Sequence, residues 1–131
     1  MAAGWIRFER EKHTMASGLK TIIYPVKDIA AAKAQFSALL GTEPYIDQPY
    51  YVAFNADGQD VGLDPHGHVK GMTGPVPYWF VASIELSVRQ LVDAGGEIVT
   101  PVSDVGGGGL IAMVKDADGN MIGLMQDAPA S

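Results

Sequence analysis

Asp64-Pro65-His66-Gly67-His68 brings a carboxylate and two imidazoles close together in the chain. If that segment folds inward, Asp64, His66 and His68 are the side chains to chelate a divalent metal, which would act as a Lewis acid on adjacent substrate oxygens. The flanking proline and glycine favour a simpler alternative, a solvated turn. The third histidine, His13, lies in a charged N-terminal stretch. Gly106-Gly107-Gly108-Gly109 invites comparison with a phosphate cradle. No Gly-Lys-Ser/Thr follows it, and the next element reads as a strand rather than a helix, so a loop bordering a pocket is expected instead. Cysteine is absent, which removes thiol catalysis, disulfides and thiolate metal sites together. No Ser/His/Asp set or pair of carboxylates stands out. Asp28 reads as a helix cap, Asp57, Asp60, Asp116 and Asp118 as turn residues, and Glu85 and Glu97 as surface.

The elements that must position these residues come in two copies. Asp28 through Gly41 recurs as Ser83 through Gly96, and Asp57-Gly58-Gln59-Asp60-Val61-Gly62-Leu63 recurs as Asp118-Gly119-Asn120-Met121-Ile122-Gly123-Leu124. A period of about 60 residues is too long for a solenoid, so it describes two fused half-domains. Leu19 to Tyr24 is β-branched and aromatic, closed by Pro25, and predicts a strand. Asp28 then caps a helix whose Ile29, Ala32, Phe36, Leu39 and Leu40 form one apolar stripe, with Gly41 as its left-handed stop. Strands are predicted at Glu43 to Ile46, Tyr50 to Asn55 and Gln59 to Leu63, the last two joined through Asp57-Gly58. The second copy predicts a strand at Tyr78 to Ala82 and a helix at Ile84 to Ala94 ended by Gly95-Gly96. Further strands are predicted at Glu97 to Thr100, Leu110 to Lys115 and Met121 to Gln126. Along Tyr78-Trp79-Phe80, the outer two side chains point one way and Trp79 the other.

The domain plan is an N-terminal extension over 1–17, either flexible or a short docking element, and one domain over 18–127. That domain holds modules 18–64 and 76–127 with a Pro- and Gly-rich linker at 65–75. Met15 is a possible alternative start. At 131 residues, 47% apolar and 18% charged, the chain is of ordinary single-domain make-up. The net charge of −6, with scattered basic residues, argues against nucleic acid. No apolar run reaches the roughly 20 residues of a membrane span, and no secretory h-region opens the chain. A cytoplasmic protein is expected.

Tyr24-Pro25-Val26-Lys27-Asp28, Pro77-Tyr78-Trp79-Phe80-Val81 and Asp116-Ala117-Asp118-Gly119-Asn120-Met121-Ile122-Gly123-Leu124 carry a resemblance to the vicinal oxygen chelate superfamily. That group holds glyoxalases, extradiol dioxygenases and bleomycin-resistance proteins. The chain is most similar to its small bacterial glyoxalase-like members. The resemblance implies an α+β fold: two tandem β-α-β-β-β modules forming cupped mixed sheets, with helices on the outer face. It also implies metal ligands on the first and fourth strand of each half. Those positions fall here on Thr21, Val76, Gly62 and Gly123, none of which offers a charged or imidazole ligand.

The resulting expectation is a small-molecule binding protein of the bleomycin-resistance type, without a cofactor. Its pocket would be lined by Thr21, Tyr50, Tyr78, Trp79, Gly62, Gly123 and Met125, with the two glycines leaving volume for a ligand. The alternative is a metal-dependent lyase, isomerase or dioxygenase with a divalent metal on Asp64, His66 and His68. A homodimer is expected in either case, because open sheet edges invite a partner and C2 closure is common.

Overall fold

The computed structural model describes residues 16–128. Residues 1–15 of the 1–17 extension, with His13 and the possible start at Met15, lie outside the described residues. The remainder divides into two compact units, one spanning Leu19–Pro77 and the other running from Tyr78 onward and including Ser17 and Gly18.

The first unit contains β1 (Leu19–Pro25), α1 (Ile29–Leu40), β2 (Ile46–Gln48), β3 (Tyr51–Ala56) and β4 (Gln59–Asp64). Its strands lie in the order β2-β3-β4-β1, with β1 parallel to β4 and the other pairs antiparallel. The Asp28 carboxylate accepts the Ala31 N–H at 3.1 Å, and Gly41 closes the helix at φ 68. Such a cap stabilises a helix by about 1 kcal/mol. The apolar stripe of α1 packs on one face of the sheet, where Ala32, Val52, Phe54, Val61 and Leu63 form a buried cluster bordered by Ile22, Tyr24 and Phe36. Phe36 lies between Tyr24 and Phe54, with ring centroids at 4.9 and 6.4 Å. Leu39, expected in the stripe, is exposed instead.

β5 (Val76–Phe80) starts on the last two residues of the first unit and continues into the second, which goes on to α2 (Ile84–Asp93), β6 (Glu97–Asp104), β7 (Leu110–Lys115) and β8 (Met121–Gln126). The second unit's strand order is β5-β8-β7-β6, with β5 parallel to β8. Ser83 Oγ accepts the Leu86 N–H at 3.4 Å, and Gln126 Oε1 accepts the Ile84 N–H at 2.8 Å, so β8 itself helps to cap α2. Val81, Ile84, Val88, Ala112, Val114 and Leu124 form the core beneath the helix. Both units therefore follow the β-α-β-β-β plan of an α+β fold, each with its helix on one face of its own sheet.

Three strands differ from expectation. β5 covers Val76–Phe80 rather than Tyr78 to Ala82, so Val81 and Ala82 lie beyond its end. β2 begins at Ile46 rather than at Glu43, because only a three-residue stretch pairs with β3. β6 runs on to Asp104 through register shifts on either side of Thr100. It is the outer strand of its sheet, where Pro101, lacking an N–H, is tolerated. The two hairpins also differ. Asp57 (φ 53) and Gly58 (φ 90) make a tight left-handed turn, whereas Asp116 to Asn120 form a longer loop around one carboxylate. Asp116 accepts the N–H groups of Asp118 and Asn120 and the Asn120 side-chain amide.

Candidate functional site

The face of each sheet away from its helix is set by strand alternation. In the first unit Val52, Phe54, Val61 and Leu63 point to α1, so Thr21, Ile23, Tyr51, Ala53, Asp60, Gly62 and Asp64 share the other face. In the second, Ala112, Val114, Ile122 and Leu124 point to α2. Tyr78, Phe80, Ile111, Met113, Met121, Gly123 and Met125 therefore share the helix-free face.

Thr21, Gly62, Tyr78, Gly123 and Met125 lie on these helix-free faces. Thr21 is buried, and its hydroxyl donates to the Asp60 carbonyl at 3.1 Å across the β1–β4 pair. Trp79, expected in the pocket, lies on the opposite face and packs on the cluster beneath α2. Val81, just beyond the end of β5, belongs to that same core. Tyr50 is 64% exposed in the turn between β2 and β3, outside both strands, so it joins no helix-free face.

The two glycines do not leave open volume. A Cβ built on Gly62 would meet the Tyr51 hydroxyl oxygen at 2.0 Å and its Cζ at 2.7 Å. A Cβ on Gly123 would meet the Tyr78 ring at 2.6 Å. Each absent side chain admits a tyrosine ring, the close approach that a strand glycine also permits. Tyr51 reaches Gly62 diagonally from β3, whereas Tyr78 lies directly across from Gly123 on β5. The sequence reading missed Tyr51 in this role. The signal was present in its parity with Ala53, the residue paired with Gly62.

The first unit's helix-free face is polar at both ends. Asp60 accepts from the Asn55 side-chain amide at 2.9 Å, and the Lys20 ammonium lies 3.6 Å away. It also faces the Tyr45 phenol, whose pKa is raised above 10.0, first by desolvation and then by the Asp60 charge and hydrogen bond. Asp60 is thus a strand residue in a donor network, not the turn residue expected. At the other end Asp64, 6% exposed, accepts from Lys70 at 2.7 Å and from the His66 N–H at 2.8 Å.

That arrangement ties up the first member of the Asp64, His66, His68 set. Both imidazoles are exposed, on a turn where Gly67 packs against Pro25 and Met72. Among the described residues no three His, Cys, Asp or Glu side chains come together as a metal-binding group. The four-glycine run is the β6–β7 connection. Gly106, Gly107 and Gly108 all have positive φ, and the Gly106 N–H is taken by the chain's own Asp104 carboxylate at 2.6 Å. Elsewhere, on the helix side of the first unit, a shallow depression of about 330 Å³ is bordered by Ile29, Lys33, Asp47, Gln48 and Val52. Lys33 and Asp47 form an ion pair on its wall. None of the expected pocket residues lines it. No helix among the described residues is long and apolar enough to cross a membrane.

Paired β-α-β-β-β units of this register define a family. The model for the Glyoxalase/Bleomycin resistance protein/Dioxygenase superfamily matches residues 13–124, and the chain belongs to that superfamily. Solved structures show the same fold at low sequence identity. A superfamily member from Vibrio splendidus 12B01 superposes with a TM-score of 0.65 at 21% identity, over 82% of this chain and 97% of its own. Methylmalonyl-CoA epimerase from Mycobacterium tuberculosis gives 0.64 at 18% identity, over 88% and 91%. A Legionella pneumophila protein described as an NAD-dependent benzaldehyde dehydrogenase gives 0.66 at 21%, over 81% and 96%. No curated protein matches the sequence.

Proposed function

We propose that this chain is a small-molecule binding protein that holds its ligand through side chains on the helix-free sheet faces, without a metal. The observation that carries the reading is the state of the first- and fourth-strand positions. Thr21 spends its hydroxyl on a backbone carbonyl, Val76 is aliphatic, and Gly62 and Gly123 are covered by tyrosine rings. A divalent site needs three or four converging N, O or S donors, and these residues do not supply them. Binding would draw instead on apolar and aromatic contact, with phenol and amide groups setting orientation.

A homodimer in the cytoplasm fits the same reading. β6 is an eight-residue outer strand of its sheet, and Ile98 on it and Val105 beyond it are exposed. Native mass spectrometry of protein purified without added metal tests both parts. The expected species is a dimer of the 13.9 kDa chain, with an organic adduct where ligand is retained. A stoichiometric divalent metal, lost on His66→Ala/His68→Ala, would replace this reading with the metal-dependent enzyme. A bare 13.9 kDa monomer at tens of micromolar would remove the dimer.

A further inference from the structure

The two units share a register but not a chemistry. Along β4 the helix-free row reads Asp60, Gly62, Asp64; along β8 the register-matched row reads Met121, Gly123, Met125. Met113 pairs with Gly123 from β7, Ile111 with Met125 from β7, and Phe80 with Met125 from β5. Three of the chain's six methionines thus surround one tyrosine-covered glycine, which makes the cluster a local feature rather than a compositional one. Among the described residues, charge enters the face at one end, where Lys115 lies across from Met121 and is paired on its other side with Glu97.

This face is not required to seat the helix, since α2 already has its own core on the other side. Tyr78 and Met113 form a buried floor, while Phe80, Ile111, Met121 and Met125 remain half-exposed above it. Thioethers on unbranched side chains adapt to irregular partners and make favourable contacts with ring edges. A floor of phenol ring and sulfur with a half-exposed rim suits a flat π-system better than a saturated or charged group. The first unit's matched row differs, because both of its carboxylates already hold lysine partners.

We infer that the helix-free face of the second unit binds a neutral planar aromatic group of the ligand, with Met121, Met125 and Phe80 as its specificity-determining contacts. The assignment rests on the small-molecule reading above. Calorimetric titration of the full chain with 1-naphthalenemethanol and with cyclohexylmethanol tests it, since the two probes share a polar group and differ in the ring. The naphthyl probe is expected to bind at one site per chain and about tenfold tighter than the saturated one. Met121→Ser/Met125→Ser should weaken it by about tenfold or more, and the volume-conserving Met125→Leu by a smaller factor, while Glu85→Gln on the exposed side of α2 leaves it within about twofold. Thermal melts of each variant establish that it is folded. Equal affinity for the two probes, no naphthyl binding, or unchanged affinity in the folded double-serine variant overturns the assignment. So does a double-serine variant that becomes monomeric with unaltered naphthyl affinity, because the face is then a subunit contact. An organic ligand retained in native mass spectrometry alongside any of these outcomes leaves the binding function standing and removes only this assignment.

Discussion

Replacing Gly62 by alanine places a methyl carbon 2.0 Å from the Tyr51 hydroxyl oxygen and 2.7 Å from its Cζ, far inside van der Waals contact. Gly62 has no positive φ, so the backbone itself accepts alanine. Without the tyrosine, the substitution should stabilise the strand by about 0.4–1 kcal/mol through the lost freedom of the unfolded chain. With the tyrosine present, overpacking of this kind costs about 1–3 kcal/mol. The sign should therefore reverse with the residue at position 51. Gly62→Ala is expected to destabilise the wild-type background and to stabilise a Tyr51→Ala background, with a coupling energy of about 1.4–4 kcal/mol. Tyr51→Phe should recover little, because Cζ remains in place. Urea unfolding of the four corners of the cycle, with m held constant, measures this. Additive effects, or a stable Gly62→Ala single variant, would show that Tyr51 does not occupy the glycine's space in solution.

Three further outcomes follow from particular contacts. Gln126→Ala removes the acceptor for the Ile84 N–H and should cost about 1 kcal/mol, read as a lower urea midpoint with the first residues of α2 exchanging amide hydrogen faster. The Asp116 carboxyl is held below 3.8 by the Asn120 backbone N–H first, with the Asn120 amide and the Asp118 and Gly119 N–H groups adding to it. Its folded-state pKa is lowered, so its contribution is present above 3.8 and is lost as pH falls through the folded value; carboxyl NMR titration should place it below 3.8, and Asn120→Ala should move it up. The Tyr45 phenol is raised above 10.0, so its contribution is present below 10.0 and fades as pH rises through the folded value. The difference in ultraviolet titration between wild type and Tyr45→Phe should show this, and Asp60→Asn should bring the transition down.

What could be read from the chain was whatever local chemistry decides. Asp28, Ser83 and Gly41 act as helix boundaries because their side chains or backbone satisfy nearby groups. The register of β4 and β8 follows from the repeated Asp-Gly and Gly-Leu pairs around Gly62 and Gly123. β2 was misplaced because three residues of an outer strand carry no periodicity. Trp79 was separated correctly from Tyr78 and Phe80, but alternation does not say which face is the core; Val81, two residues on, would have decided it. The roles of Gly62 and Tyr51 were hidden because a strand glycine leaves either a space or a close approach. Only the diagonal pairing of β3 with β4 chooses between them. Asp60 escaped for the same reason, since its partners Asn55, Lys20 and Tyr45 come from three separate segments.

The tyrosines over the two glycines come from strands that are not counterparts in the repeat. Ile23, not a tyrosine, pairs with Gly62 as Tyr78 pairs with Gly123, and Ile111 stands in β7 where Tyr51 stands in β3. Both copies carry glycine at the matched position, while the ring that covers it comes from a different strand in each. That asymmetry has a consequence for substitution at the two positions. A carboxylate or imidazole introduced at either glycine meets a ring already in its place, so the favourable route requires a change first in β3 for one half and in β5 for the other. Placing a larger side chain at either position is therefore a two-step path whose first step opens a void and whose reverse order passes through a clash. Such an ordering acts as a ratchet, holding each glycine in place for as long as its tyrosine stays.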